Sequence, residues 1–377
     1  MTDFRILIAG AGIAGLALAR ALADHGIRVE VVERDVRLRS AGAGLYLPAN
    51  AVRALTRLGY GPALAERAHP VTHQRVLDHR GRPLTGYRVG DVWGRVGHCC
   101  ALSRQDLHAL LRAAVAPDAV RTGVAVQHAA PDGTVTFSDG RRQTYDLVVG
   151  ADGVNSAVRH SAFPRPAPRF LGQICWRFLA DHASGPATAT AWTARLGPGG
   201  RTFLTVPIGC GRAYCYADVN SATPASPVGD WRDRFADFTG PVPDLLAQGA
   251  DAHMAPLYEV DATSWARPRT VLIGDAAHAC SPSMAQGGAM ALEDVVVLAE
   301  FLAELVTGAA SPPTADRVAD VLAAYRLRRA ARVHWVLAQN HRRDRARNLP
   351  TPLRNLALRV AGARLIRANH VPLHSEP

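Results

Sequence analysis

"RILIAGAGIAG", residues 5–15, decides how the rest of the chain is read. A run of aliphatic residues behaves as a buried strand, and Gly10, Gly12 and Gly15 follow it in G-x-G-x-x-G spacing. Apolar periodicity then predicts a helix over Ala14–His25, Gly26 stops it, and Arg28–Glu33 reads as a second strand. The first glycine permits the tight turn, the second lets a pyrophosphate approach the backbone, and the third lets helix and strand pack closely. Phosphate would meet the positive helix end at Ile13 and Ala14. Glu33 closes the second strand, where a carboxylate accepts hydrogen bonds from a ribose and repels a 2′-phosphate. The unit is a βαβ site for an adenine dinucleotide.

A second strand–loop–helix stands far downstream. Arg269–Ile273 reads as another buried strand and runs into "GDAAHACSPSMAQGGAMALEDV", residues 274–295, with small residues leading into a helix. A third buried strand lies in "YDLVVGADG". Between these, 72–98 and 167–268 alternate polar and apolar residues, with turn signals such as "DHRGRP", in the manner of antiparallel sheet. "SRQDLHALLRAAV" predicts a helix started by Ser103 and Asp106. The expected architecture is α/β: a discontinuous Rossmann-like dinucleotide domain (1–71, 101–166, 269–307), a mostly antiparallel substrate domain (72–100, 167–268), and a C-terminal helical region (308–377). "GAASPPTA", 308–315, reads as the linker before that region.

Charge narrows the partners. The formal net charge is +11 over 377 residues, and every one of the 43 basic side chains is arginine. Such a field favours anionic ligands. Arginine is densest in "YRLRRAARVHWVLAQNHRRDRARN", which is expected to be a solvated or subunit-facing helix surface, since no nucleic-acid-binding module surrounds it. The six cysteines form no CxxC pair and no zinc-like spacing, so no metal site is expected. No apolar run reaches membrane-spanning length and no cleavable signal is seen, so a cytoplasmic protein with neither membrane nor nucleic-acid partner is expected, as monomer or homodimer.

"DLVVGADGVNSAVR", ending at Arg159, and "VLIGDAAHACSPSMAQGGAMALEDVVVLAEFL", 271–302, join the glycine fingerprint in a fixed order. Together with "GAGLYLPANAVRALTRLG" and "SRQDLHALL" they resemble the class A flavoprotein monooxygenases, the aromatic hydroxylases typified by p-hydroxybenzoate and salicylate hydroxylase. The resemblance spans motifs of almost the whole chain. It implies non-covalent FAD, NADH or NADPH as reductant without a second glycine fingerprint, and transfer of one oxygen atom from O2, through a flavin C4a-hydroperoxide, to a small aromatic, phenolic substrate.

The same resemblance explains why two strand–loop–helix sites coexist. FAD is too long for one glycine loop, so its adenosine end would lie at Gly10–Gly15, Glu33, Arg34 and Val126, and its ribityl–flavin end at the downstream stretch. Asp275 would then accept from ribityl hydroxyls, and the helix start at Gln286, Gly287 and Gly288 would aim N–H groups at the flavin's pyrimidine edge. Arg104 is implied at the ribityl or pyrophosphate region, Asp152 at FAD and the nicotinamide as well as at a helix cap, and Pro282 beside the reactive face. The chain departs from the family pattern at Ala285, where a side chain disfavours positive φ, and at Met290, which has no amide to offer the flavin. His278 is expected to be structural. On the substrate side, Tyr214 and Tyr216 share a strand face, and one of them would orient or deprotonate a phenol; Trp176, Arg177, Tyr46 and Leu47 are further lining candidates. Related readings remain open: an epoxidising or reducing flavoprotein, and a flavin-binding scaffold without turnover. The halogenase motif W-x-W-x-I-P is absent.

Overall fold

The structure, a computed structural model, describes residues 4–37, 43–163, 167–182, 185, 188–260, 263–307 and 312–377. Ile6–Ala9 is buried along its whole length and runs parallel to Val29–Glu33 on one side and Leu147–Gly150 on the other. Thr270–Leu272 extends the sheet in parallel beyond Leu147–Gly150, and Val120–Thr122 lies beside Val29–Glu33. Ala266–Arg267 adds an antiparallel edge, making six strands. Three buried runs separated by more than a hundred residues thus become neighbours. Their nearly continuous apolar character reflects burial on both faces.

The other large sheet has seven strands, in the order 253–259, 169–181, 212–220, 202–209, 191–196, 73–78, 83–88. All its pairs are antiparallel except Ala191–Leu196 with His73–Asp78. Side-chain alternation gives it two different faces. One carries Trp176, Phe178, Phe203 and Ala217 against Phe235, Phe238 and Leu245, which is a separate apolar core. The other carries Cys175, Val206, Tyr214 and Tyr216 and belongs to the main core shared with the six-stranded sheet. Trp176 was expected to line the substrate side; it turns the opposite way and stacks on Trp231 at 5.0 Å. The division expected at residue 100 falls inside strand Cys99–Ser103, which pairs with Gly44–Leu47 and His69–Val71 in a small antiparallel sheet.

Two long helices, Ala315–Arg347 and Thr351–His370, close the chain. The linker expected at 308–315 lies partly outside the described residues. The arginine-rich run is not simply a solvated surface. Arg329 is fully buried, with Nε donating to Asp294 Oδ1 at 2.9 Å and NH1 to Glu293 Oε2 at 2.9 Å. Arg332 donates to Glu293 Oε1 at 2.8 Å. Further along, Arg343 donates to the Ser283 carbonyl at 2.8 Å, and Arg347 to Asp218 Oδ1 at 2.7 Å. Arg329, Arg332 and Arg347 face inward because helix Gly287–Val306 and the seven-stranded sheet bury carboxylates that need partners.

Removing one partner of such a cluster leaves a buried charge uncompensated. Arg329→Met should therefore lower stability by about 3–5 kcal/mol, whereas Arg342→Met, on the exposed side of the same helix, should change it by about 0.5 kcal/mol or less. Urea unfolding of the two variants checks this, and equal midpoints would contradict the assignment.

Candidate active site

The three fingerprint glycines have three different structural reasons. At Gly10, with φ +104°, a Cβ would lie 2.5 Å from the Ala151 carbonyl oxygen; at Gly15 it would lie 1.9 Å from that of Gly10. Both are required for the chain to fold back on itself. At Gly12 a Cβ would meet no protein atom within 4 Å. That glycine opens onto ligand space, at the start of helix Ile13–Asp24, whose first N–H groups have no intrahelical acceptor. Glu33 is fixed beside it: Oε2 accepts from Ala11 N at 2.9 Å and Oε1 from Asp35 N at 3.1 Å. The Glu33 carbonyl accepts from Val124 N at 3.0 Å, which brings the start of strand Val126–Ala129 toward this end. Arg34 is exposed and, among the described residues, its one ion pair is with Asp35, at 3.9 Å. His108 Nε2 lies 2.9 Å from the Ala11 carbonyl and ties helix Arg104–Ala113 to the glycine loop.

The downstream motif arrives at the same place. Gly274, at φ +58°, lies between Ala14 of the first helix and Ala291 of Gly287–Val306; a Cβ there would approach their methyl carbons to 3.5 and 3.1 Å. Its N–H donates to Asp294 Oδ2 at 2.9 Å, and that oxygen also receives His278 Nε2 at 2.6 Å. Burial pushes the Asp294 carboxyl up, but His278 and Arg329 outweigh it and hold it below the ordinary range. Asp275 by contrast is exposed, and its Oδ1 stands 4.0 Å from where a Cβ of Gly287 would be. An open carboxylate therefore faces a helix start with free donors. Asp152 caps helix Ala157–Ala162 by accepting from Ala157 N at 2.8 Å and Val158 N at 3.2 Å, and burial raises its pKa.

Between the two motifs runs the loop with Pro282. Met284 N donates to Asn340 Oδ1 at 2.9 Å, and Ser281 and Ser283 both donate to Asp344 Oδ1. Ala285 adopts φ +53°, contrary to the sequence expectation. Left-handed backbone at a residue with a Cβ costs about 1–2 kcal/mol, and the anchored turn Pro282–Met284 just before it, closed by Ala285 N to Pro282 O at 2.8 Å, holds it there. The side chain of Gln286 is spent inside the protein, accepting from Asn50 Nδ2 at 2.9 Å. Only backbone at 286–288 is left for a ligand.

Facing these motifs is the inner side of the seven-stranded sheet. Arg177 pairs in register with Tyr216, its guanidinium 5.9 Å from that ring, and Leu179 pairs with Tyr214. The two tyrosines differ in their hydroxyls. Tyr216 donates to Asp218 Oδ2 at 2.8 Å, and burial with this carboxylate keeps its phenol far from ionising. Tyr214 makes no hydrogen bond with a described residue; burial raises its pKa to about 12, against the pull of Arg177 and Arg104. Its ring lies against Gly44, where a Cβ would come within 2.5 Å. Arg104 and Arg177 both feel Asp275 and Tyr214, and neither forms an ion pair with a described residue. Tyr46 is occupied by Gln74 Nε2 at 2.8 Å, and Leu47 is buried in the core. Sequence reasoning missed Asn50, Glu293, Asp294, Asn340 and Asp344. The visible signal was the adjacent acids of "ALEDVVVLAEFL", which no helix this apolar would bury unpaired.

A parallel-sheet domain with a glycine cradle at one end, an open carboxylate and helix start at the other, and a second sheet as facing wall defines a flavin-binding oxidoreductase architecture. Residues 3–339 match the family model described as FAD binding domain. The chain is 35% identical over 315 residues to the aurachin C monooxygenase/isomerase of Stigmatella aurantiaca, covering 80% of this chain and 81% of that one. It is 35% identical over 351 residues to the 3-amino-4-hydroxybenzoate 2-monooxygenase of Streptomyces cremeus, covering 88% and 85%. Klebsiella pneumoniae HpxO, solved with FAD and uric acid, superposes with a TM-score of 0.86 at 27% identity over 99% of this chain and 97% of that one. The chain belongs to the FAD-binding-domain family and is an FAD-dependent aromatic monooxygenase.

The glycines give a separating test. Gly12→Ala should fold normally, because its Cβ meets no protein atom, yet weaken FAD binding by roughly tenfold or more through lost approach of the pyrophosphate. Gly15→Ala should fail to fold stably. Circular dichroism of the apoprotein with a fluorescence titration of FAD checks both, and full FAD affinity in Gly12→Ala would remove that glycine from the site.

Proposed function

We propose that this chain hydroxylates a small aromatic substrate that binds as an anion, at the seam between the two sheets. The observation that carries this reading is that Arg104 and Arg177 lie close enough to Tyr214 and the exposed Asp275 to feel their charge, while neither guanidinium forms an ion pair with a described residue. Gly12, Ile13 and Ala14 would hold the FAD pyrophosphate, Glu33 the adenosine ribose, and Val126 and Arg34 the rim of the adenine end. Asp275 would accept from the ribityl hydroxyls, Arg104 would reach the same stretch, and Gly287 and Gly288 would present N–H groups to the pyrimidine edge. Asp152 adjoins Gly10 from the neighbouring strand end and would close the cradle. When bound, FAD supplies the electron transfer from NADH or NADPH and the activation of O2.

What the protein's residues contribute is placement. With a pKa near 12, Tyr214 stays protonated at neutral pH, so it would donate a hydrogen bond to the substrate oxygen and not act as a base. Tyr216, already bound to Asp218, would form the wall beside it. Arg177 would stabilise a ring hydroxyl or carboxylate in its ionised form, which makes the ring more electron-rich at the carbon to be oxygenated. The Pro282 loop, held by Asn340 and Asp344, would fix the opposite side and keep water out.

Purified protein should release FAD on mild denaturation. Its NADH or NADPH oxidation should be slow alone and roughly tenfold faster with the right hydroxylated aromatic, a change of about 1.4 kcal/mol in barrier. A library of phenols and aromatic acids, followed by mass spectrometry for the gain of one oxygen, reads this directly. Stimulation that yields a reduced aromatic product, with neither oxygen gain nor hydrogen peroxide, would point to a reductase instead. Arg177→Met should raise KM for ionised substrates by roughly tenfold or more while leaving neutral analogues little changed, and Tyr214→Phe should increase the peroxide formed per nicotinamide consumed. If both variants kept wild-type KM and coupling, the substrate-side assignment would fall.

A further inference from the structure

The last helix, Thr351–His370, is packed along one side only. Arg354, Asn355, Gly362 and His370 turn inward; Gly362 lies against Thr85, where a Cβ would come to 2.9 Å, and the His370 ring meets Trp93 at 5.0 Å. The outward side carries Leu353, Leu356 and Val360, exposed by 54%, 58% and 79%. They follow at steps of three and four residues, one stripe of a helix. Arg359, Arg364 and Arg367 are exposed around the same stripe and form no ion pair with a described residue. From Arg345 to Ser375 the sequence contains no aspartate or glutamate.

We propose that this face docks on an anionic lipid surface. Leucine and valine side chains would enter between headgroups while the arginines meet phosphates. Charge decides among the possible occupants. A second copy of the face would set arginines against arginines with no carboxylate to receive them. A nucleic acid would satisfy the arginines and leave Leu353, Leu356 and Val360 without a partner. Anionic lipid answers both halves. No described helix is long and apolar enough to cross a membrane, so the contact is peripheral. It narrows the sequence expectation of no membrane partner to no membrane-spanning one.

The test uses the full-length, FAD-loaded protein in vesicle flotation. Vesicles of phosphatidylcholine alone are compared with vesicles that also contain phosphatidylglycerol. The protein should float with the anionic vesicles and not with the neutral ones, and raised salt should release it. With each surface arginine contributing about fivefold, Arg364→Gln/Arg367→Gln should weaken binding by roughly tenfold or more, and Leu356→Gln/Val360→Gln comparably. FAD content and thermal unfolding should be unchanged in both, since all four side chains are exposed. Equal flotation with both vesicle types, no flotation, or indifference to either double variant overturns the proposal. So does a dimer in light scattering that Leu356→Gln/Val360→Gln converts to monomer, which would make the occupant a second copy. A salt-sensitive DNA shift abolished by the arginine pair but not by the apolar pair would overturn it in favour of nucleic acid.

Discussion

Arg329 has no solvent exposure and is bonded to both Glu293 and Asp294. Burying three charges is costly unless each finds several partners, and here each does. Asp294 also holds Gly274 N and His278; Glu293 also holds Asn50 and Arg332, and Asn50 in turn holds Gln286. The turn that presents Asp275 and the start of the helix at Gly287 are therefore positioned by a guanidinium from helix Ala315–Arg347. The same helix supplies Asn340, Arg343 and Asp344 to the Pro282 loop. What looked like a basic surface run clamps the turn and loop of the candidate active site.

That clamp also explains a local strain. Ala285 occupies the left-handed region without being glycine, immediately after a turn bonded to Asn340 and Asp344. Conformations of this kind persist only where their surroundings over-determine them, and they cluster at functional sites. On the opposite wall the economy is similar. Arg347 and Tyr216 both bond Asp218, so that buried carboxylate is already engaged. The guanidinium of Arg177 forms no ion pair with a described residue, which is what its proposed role toward a substrate requires.

Local pattern carried a large part of the fold. The glycine spacing, the period-two alternation of 202–209 and 212–219, and the Ser103 cap, whose Oγ accepts from Asp106 N at 3.0 Å, are all matters of residues a few positions apart. So is the turn in "DHRGRP", where Asp78 Oδ1 accepts from Arg80 N and Arg82 N. Alternation also required Trp176 and Arg177 to face opposite ways, but not which of them faces the flavin side; that depends on which core lies behind each face.

The sequence alone determined the strands, the dinucleotide fingerprint and, through the order of motifs, the family. Only the tertiary structure decided which arginines are structural, which tyrosine hydroxyl is free, and how Ala285 is accommodated. The physical reason is separation along the chain. Asn50 meets Gln286 and Glu293 across 236 and 243 residues, and Arg347 meets Asp218 across 129. A buried ion's partner is chosen by what the folded chain brings within hydrogen-bonding distance, and no periodicity in the flanking residues encodes that choice.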